Sequence, residues 1–313
     1  MAERLSRKKI ISPEKIFMGM TAIFSLSVLL ISALVVYELF SASEPTFHKF
    51  GFKFLITKDW DPVQKVYGAL PFIWGTFYTS FIALLIALPV SLGIAIFLSE
   101  LAPAWLRSSV GFLIELLAAI PSLIFGLWGL FVLSPLLQQY IEPPLSNLSF
   151  LPFFTGYPLG LGFLNAGLLL AVMIIPTISS ISRDVMYTVP ANQREGGLAL
   201  GMTRWEVVSK VVIPNSRSGI LGAVVLGLGR ALGETMAVTM VIGNTPQFSL
   251  SLLDPGYTIS SAIANQFTEA FDKLQISALI ELGLILFVIS VIINAFAKLL
   301  MFRMNRFSGG ARI

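Results

Sequence analysis

Six long apolar segments decide what this chain can fold into. Each has roughly the 20 apolar residues that a helix needs to cross the hydrocarbon core of a bilayer. Only 12% of the residues are charged, about half the ~25% of a soluble domain. The sequence therefore predicts an all-α integral membrane protein with six transmembrane helices. We place them at residues 17–40, 71–99, 110–137, 166–184, 219–242 and 277–302.

The first segment is expected to be a retained transmembrane helix. Its 24 residues exceed the apolar core of a signal peptide, which is about 7 to 15 residues long. The positively charged residues then predict the orientation, because cytoplasmic loops carry an excess of Lys and Arg. Of the 21 Lys and Arg residues, 15 fall on the side of both termini and five on the other side. Both termini are expected in the cytoplasm.

A polar loop at residues 190–214 interrupts the apolar segments on the predicted cytoplasmic side. It carries five charges between two spans, and its apolar residues recur at helical spacing on both sides of Gly201. A glycine there permits a turn. We therefore expect two short helices joined at Gly201, forming a compact element suited to docking on a partner.

A proline interrupts the third apolar segment. Pro121 removes a backbone donor in the middle of a span, and in lipid the freed carbonyl needs another partner. Ser122 follows it, and Gly126 and Gly129 permit close helix contact. The sequence predicts a bend at Pro121 and Ser122 that lines a transport pathway; the alternative is a packing kink without a role in transport.

Two ionisable residues lie inside the fifth apolar segment. Each charge in a span costs about 2.5 to 3.5 kcal/mol on insertion scales. Arg230 and Glu234 are four residues apart, so on one helix they would share a face and pair. We expect Arg230 to offer positive charge to an anion pathway while Glu234 holds it. The alternative is a buried ion pair that fixes helix register. A ridge of small residues lies beside them, at Gly219, Ala223, Gly227 and Ala231.

Several chemistries are excluded by composition. The chain has no cysteine and one histidine, which leaves no thiolate or histidine cluster for a metal or a nucleophile. The run GLGRALGET fits neither the dinucleotide nor the phosphate-loop motif, because the glycine spacing is wrong and no lysine stands where the phosphate loop needs one. We expect neither catalysis nor a cofactor in this chain.

The 190–214 loop resembles the signature of ABC-importer permeases. That signature reads E-A-A, three residues, G, nine residues, then I-x-L-P, and the chain has E-G-G, G and V-x-I-P at the same spacing. In the family this segment docks on the ATP-binding subunit. The resemblance implies a type I (MetI-like) permease fold with a cytoplasmic coupling helix. It assigns the ATPase contacts to Glu195, Gly196, Gly197, Gly201, Trp205 and Pro214.

Further motifs are similar to the C-type permease subunit of phosphate-specific ABC importers. They are AAIPSLIFG, MIIPTISSISRDVMYTVP and GLGRALGETMAVTMVIGNT, and the likeness runs from Pro71 to the end of the chain. It implies import of inorganic phosphate by alternating access in the bacterial cytoplasmic membrane. The implied partners are an A-type permease, an ABC ATPase that binds ATP and Mg²⁺, and a phosphate-binding protein outside. Membrane lipid is expected around the chain, and no nucleic acid.

The expected division of the chain has three parts. Residues 1–70 hold a tail, the first span and a long outer loop; residues 71–302 form the permease core; residues 303–313 form a basic tail. Two other functions remain open. One is an ABC permease for another oxyanion, such as phosphonate, sulfate or molybdate, and the other is a secondary transporter that works without an ATPase.

Overall fold

The computed structural model describes residues 13–148 and 150–308. Within these ranges six helical segments are long and apolar enough to cross a membrane, which confirms the predicted number. The basic residues from Arg4 to Lys9 and Arg312 lie outside the described residues. The six segments are Phe17–Phe50, Leu70–Leu101, Ser122–Ser146, Phe163–Tyr187, Arg204–Gly233 and Lys273–Met304.

The regular secondary structure of the described residues is helical, apart from one isolated bridge between Asp61 and Val66. Four π-helical turns extend α-helices, at Phe97–Leu101, Gly129–Leu133, Leu137–Ile141 and Val208–Val212. The α-helices in chain order are α1 (Pro13–Phe50), α2 (Lys53–Ile56), α3 (Leu70–Ile96), α4 (Ala104–Ala119), α5 (Ser122–Trp128), α6 (Ser134–Leu136), α7 (Glu142–Ser146), α8 (Phe163–Tyr187), α9 (Ala191–Ala199), α10 (Arg204–Val207), α11 (Ile213–Gly233), α12 (Met236–Val241), α13 (Ile259–Gln266) and α14 (Lys273–Ser308).

The first helix is longer than predicted. The apolar run ends at Phe40, but α1 continues for ten more residues to Phe50 and contains Pro45. Its last turns are held against α14, where Thr46 Oγ1 donates to Ser277 Oγ at 2.8 Å. Packing on a neighbouring helix therefore stabilises a segment that hydropathy alone assigns to a loop.

Two predicted spans are broken, and their predicted bounds were wrong. The third, 110–137, is divided at Ile120 and Pro121, whose ψ angles of 128° and 141° are extended. The crossing helix begins at Ser122 and continues to Ser146. The fifth, 219–242, is divided at Glu234, whose ψ is 128°. On the N-terminal side of that break, one continuous helical segment extends from Arg204 to Gly233.

Helix α8 lies at the centre of the bundle and packs against α3 and α11. Its inward residues, including Leu169, Met173 and Ile178, are fully buried. The predicted small-residue ridge on α11 faces it: a side chain at Gly219 would collide with Val185, and one at Gly227 would come within 2.7 Å of Ile178. The ridge is therefore confirmed as the surface that lets α11 approach α8 closely.

Substitution of Gly75 tests a second close contact, between α3 and the segment that precedes α13. A Cβ at Gly75 on α3 would collide with the backbone carbonyl of Tyr257, so we expect Gly75→Ala to destabilise the fold by about 1–3 kcal/mol. Gly93 on the same helix has no atom within 4 Å of the position that a Cβ would occupy, so Gly93→Ala is the matched control. Thermal unfolding in detergent should show a lower midpoint for Gly75→Ala alone. Equal midpoints would contradict the packing described.

Candidate functional site

The 190–214 loop folds as two helices joined by a tight turn, as predicted. Helix α9 ends at Ala199, and Gly201 follows with φ of +82°, a value that glycine adopts readily. Gly201 N donates to Leu198 O at 2.9 Å, and Met202 N donates to Gly197 O at 3.1 Å. These bonds satisfy carbonyls at the helix end and fix the turn.

The second helix of the loop starts at a reciprocal cap. Glu206 N donates to Thr203 Oγ1 at 3.3 Å, while Thr203 N donates to Glu206 Oε2 at 2.9 Å. Helix α10 then passes through the π-turn into α11 without a break. Pro214 accordingly lies in the first turn of α11 rather than at the end of a loop. The second half of the loop is thus a rigid extension of the fifth span.

The predicted ATPase contacts divide into exposed and buried residues. Glu195, Gly196, Gly201 and Pro214 are exposed, and Trp205 is 62% exposed. Gly197 instead is buried beneath α10, where a Cβ would lie 3.1 Å from Val207 Cγ2. Leu198 and Leu200, in the same loop, are also exposed, at 49% and 82%. The loop therefore presents an apolar patch of the kind that marks protein interfaces.

Arg194 ties the loop to two membrane spans, a role that the sequence did not predict. Its Nη2 lies 2.9 Å from Glu100 Oε1, in the π-turn that ends α3. Its Nη2 also donates to Met186 O in the last turn of α8 at 2.8 Å, and its Nη1 donates to Val189 O just after that helix at 2.6 Å. The side chain is 22% exposed. The spacing of Arg194 and Glu100 along the chain gave no signal of this pair, because 94 residues separate them.

The two helix breaks lie at the same end of a parallel helix pair. Gly126 on α5 faces Ala237 on α12, with its Cβ position 3.0 Å from Ala237 Cα, and Gly129 faces Val241 one turn further. The glycines thus permit close contact, as predicted. Pro121 is exposed and Ser122 half-buried at the start of α5. The structure therefore brings Pro121 near the other break, at Glu234.

Arg230 and Glu234 do not pair, which corrects the sequence-based expectation. Helix α11 ends at Gly233, so Glu234 leaves the helix face on which Arg230 lies. Glu234 Oε1 instead accepts from Ala237 N at 3.4 Å, and Glu234 O accepts from Ser260 Oγ at 2.8 Å. The carboxylate caps α12 and the carbonyl finds a side-chain partner. Glu234 thereby stabilises the break.

Arg230 is half-buried and faces α8. Within the described ranges its hydrogen-bond partner is Thr177, with Nη1 3.4 Å from Oγ1. A guanidinium has five N–H donors, so most of them are available to an anion. Thr177 was missed from the sequence, although its place after Pro176 inside a serine-rich span could have drawn attention to it.

A second arginine near a span end is already neutralised. Arg183 Nη2 lies 3.4 Å from Glu115 Oε1, and its side chain contacts Asp184 Oδ1 at 3.0 Å. Glu115 and Asp184 thus neutralise the charge of Arg183. Among the residues that the structure describes, no group of three or more His, Cys, Asp or Glu side chains could hold a metal ion.

Comparison with known families defines the class of protein. The model of the binding-protein-dependent transport system inner membrane component family matches residues 91–306. The chain belongs to this family of multi-pass membrane permeases, and the fold class predicted from the sequence is confirmed.

Named relatives and solved structures agree with this assignment. The chain is 50% identical to the phosphate transport system permease protein PstC of Haemophilus influenzae, over 95% of both chains. It is 41% identical to the probable PstC of Methanocaldococcus jannaschii, over 87% of this chain and 88% of the relative. A bacterial alginate ABC transporter chain matches with a TM-score of 0.59 at 15% identity, covering 92% of this chain and 97% of that one. At that identity the structural likeness concerns the fold alone.

Removal of the Arg194 side chain tests the connection between loop and spans. Arg194→Gln loses three charge-assisted hydrogen bonds, so we expect backbone amides of residues 191–199 to exchange about tenfold faster or more. Hydrogen exchange with mass spectrometry measures this. Arg204, exposed on α10, provides the matched control as Arg204→Gln. Unchanged protection in Arg194→Gln would show that α9 is held by other contacts.

Proposed function

We propose that this chain is the permease subunit of an ATP-driven importer that moves inorganic phosphate into the cytoplasm. The observation that carries the proposal is the likeness to phosphate permeases at about half identity along 95% of the chain. The presence of Arg230 is consistent with phosphate as the substrate, because a planar guanidinium group can donate two hydrogen bonds to phosphate oxygens. The named relatives favour phosphate over phosphonate, sulfate or molybdate.

In this proposal ATP energy enters at the 190–214 loop. The exposed patch of Leu198, Leu200 and Trp205 docks on a separate ABC ATPase, which binds ATP and Mg²⁺. The chain itself is then a non-catalytic subunit without a cofactor. Movement of the ATPase passes through Arg194 to α3 and α8, and through the continuous segment from Arg204 to Gly233 to the break at Glu234.

The proposed pathway lies at the paired breaks. Irregular backbone is tolerated at membrane depth where protein buries it or where it lines a water-filled cavity. Pro121 and Ser122 begin one half-helix, and Glu234 caps the other. Arg230 lies one turn before that cap and supplies the positive charge. Alternating access would open this region first to one side and then to the other.

The remaining partners follow from the same proposal. A heterodimer with an A-type permease completes the pathway, and a phosphate-binding protein docks on the outer loops. The chain would reside in the bacterial cytoplasmic membrane with both termini in the cytoplasm, as the 15 to 5 distribution of Lys and Arg favours. We call the end of the bundle opposite the 190–214 loop the outer end.

A bulky residue at Gly201 tests the docking role. Gly201→Val places a β-branched residue at φ of +82°, a strained conformation, so the turn should deform. We expect phosphate uptake to fall about tenfold or more while ATP hydrolysis by the assembled complex continues. Uptake and hydrolysis are measured together in liposomes that contain all subunits.

Gly19→Val is the control for that experiment, since Gly19 is exposed on α1 with nothing within 4 Å. Normal ATP-driven uptake by Gly201→Val would refute the docking role. Uptake without any ATPase would instead favour a secondary transporter.

Neutralising Arg230 tests the pathway. Arg230→Gln should abolish most phosphate uptake with the complex still assembled, because the half-buried positive charge is lost. Lys298→Gln removes an exposed cation from α14 and should leave uptake near the wild-type rate. Uptake of ³²P-phosphate by proteoliposomes, with sulfate as competitor, gives both rate and selectivity. Wild-type uptake by Arg230→Gln would exclude the residue from transport.

A further inference from the structure

A groove at the outer end of the bundle holds a buried acid that the transport pathway does not use. The groove has a volume of about 860 Å³ and lies between α1, α3 and α14. It is far from the 190–214 loop, because its wall on α3 is Ile73 and Phe77, near the start of that helix, whereas Arg194 of the loop contacts Glu100 beyond the other end. Glu281 on α14 contributes to the opposite wall.

Glu281 lacks the partner that its burial demands. The residue is only 6% exposed, and its Oε2 has no hydrogen-bond partner among the described residues. A buried carboxyl oxygen without a partner carries the full cost of its lost hydration. The groove beside it is therefore the place from which a donor could reach this carboxyl group.

The groove changes from polar to apolar along the bundle. Ser41, Glu44 and His48 lie at its outer part, where Glu44 Oε1 and His48 Nε2 are 3.4 Å apart and both side chains are exposed. Phe77 and Val288 lie on its walls together with Tyr37, which is about two turns of α1 from Glu44. The polar part begins where the apolar run of the first span ends, at Phe40, and we place the membrane surface at this level because the hydrocarbon layer ends where the apolar run does. A membrane lipid has the same polarity profile.

The charges on the groove select the kind of headgroup. The titratable side chains on its described walls are Glu44, Glu281, His48 and the Tyr37 phenol. Two carboxyl groups against one histidine favour a positively charged group. An ammonium group also has N–H groups that can donate a hydrogen bond to Glu281 Oε2, which has no partner among the described residues.

We propose that this groove is a binding site for an outer-leaflet phospholipid with a primary ammonium headgroup. The ammonium donates to Glu281 and lies near Glu44, and an acyl chain packs between Tyr37, Phe77 and Val288. The assignment of the leaflet rests on the proposed orientation. The site itself is independent of which anion the protein transports.

Lipid retention by the purified transporter tests the site. The detergent-solubilised complex is incubated with equal amounts of palmitoyl-oleoyl phosphatidylethanolamine and phosphatidylglycerol, and bound lipids are counted by native mass spectrometry. We expect the wild type to retain phosphatidylethanolamine over phosphatidylglycerol by about tenfold, the order of one charge-assisted hydrogen bond. Glu281→Gln should reduce this preference to near unity.

Two further variants make the test specific. Glu38→Gln removes an exposed carboxyl of α1 that is outside the groove walls and should keep the wild-type preference. Val288→Trp should fill the apolar part and lower retention of both lipids. An unaltered preference in Glu281→Gln, an equal loss in Glu38→Gln, or no effect of Val288→Trp would overturn the proposal. The proposal would also be overturned if the wild-type complex showed no preference between the two lipids, which is the result expected if a partner subunit covers the groove. Because the experiment measures lipid binding and not transport, its outcome does not depend on whether the protein imports phosphate.

Discussion

Backbone hydrogen bonding in the hydrocarbon layer governs the rest of this structure. Unpaired N–H and C=O groups are so costly there that continuous helices are the rule, and the described spans obey it except at two places. At Pro121 the carbonyl accepts from Ile124 N at 3.0 Å. At Glu234 the carboxylate and carbonyl are bonded to Ala237 and Ser260. Hydrogen bonds thus compensate part of the backbone at each break, and close contact between α5 and α12 holds the two breaks side by side.

The 190–214 loop is connected to these breaks by continuous helix and by hydrogen bonds, so that its position is coupled to the membrane spans. The helical segment from Arg204 to Gly233 has 30 residues and so extends about 45 Å without a flexible joint. One end carries the exposed Trp205, and the other reaches Arg230 and the break. Arg194 adds a second connection, to the ends of α3 and α8. A displacement of the loop therefore reaches three spans directly.

The sequence predicted the features that depend on local patterns. Apolar segment length gave six spans, glycine chemistry gave the turn at Gly201, and Pro121 marked the first break. The second break was missed because no proline accompanies it, and the contacts by which Glu234 stabilises it are visible only in the folded chain. The same limit applies to Arg194 and Thr177, whose partners are distant in sequence. The extension of α1 to Phe50 likewise depends on contact with α14.

Cross-linking at the exposed patch tests the central claim, that the 190–214 loop is the ATPase docking surface. The chain has no cysteine, so Leu200→Cys introduces a unique thiol at an 82% exposed position. Val63→Cys does the same at a position that is 90% exposed near the outer end. With a short thiol-to-amine cross-linker on the assembled complex, Leu200→Cys should be joined to the ATPase subunit and Val63→Cys should not. Absence of that product at Leu200, or an equal yield at Val63, would contradict the account.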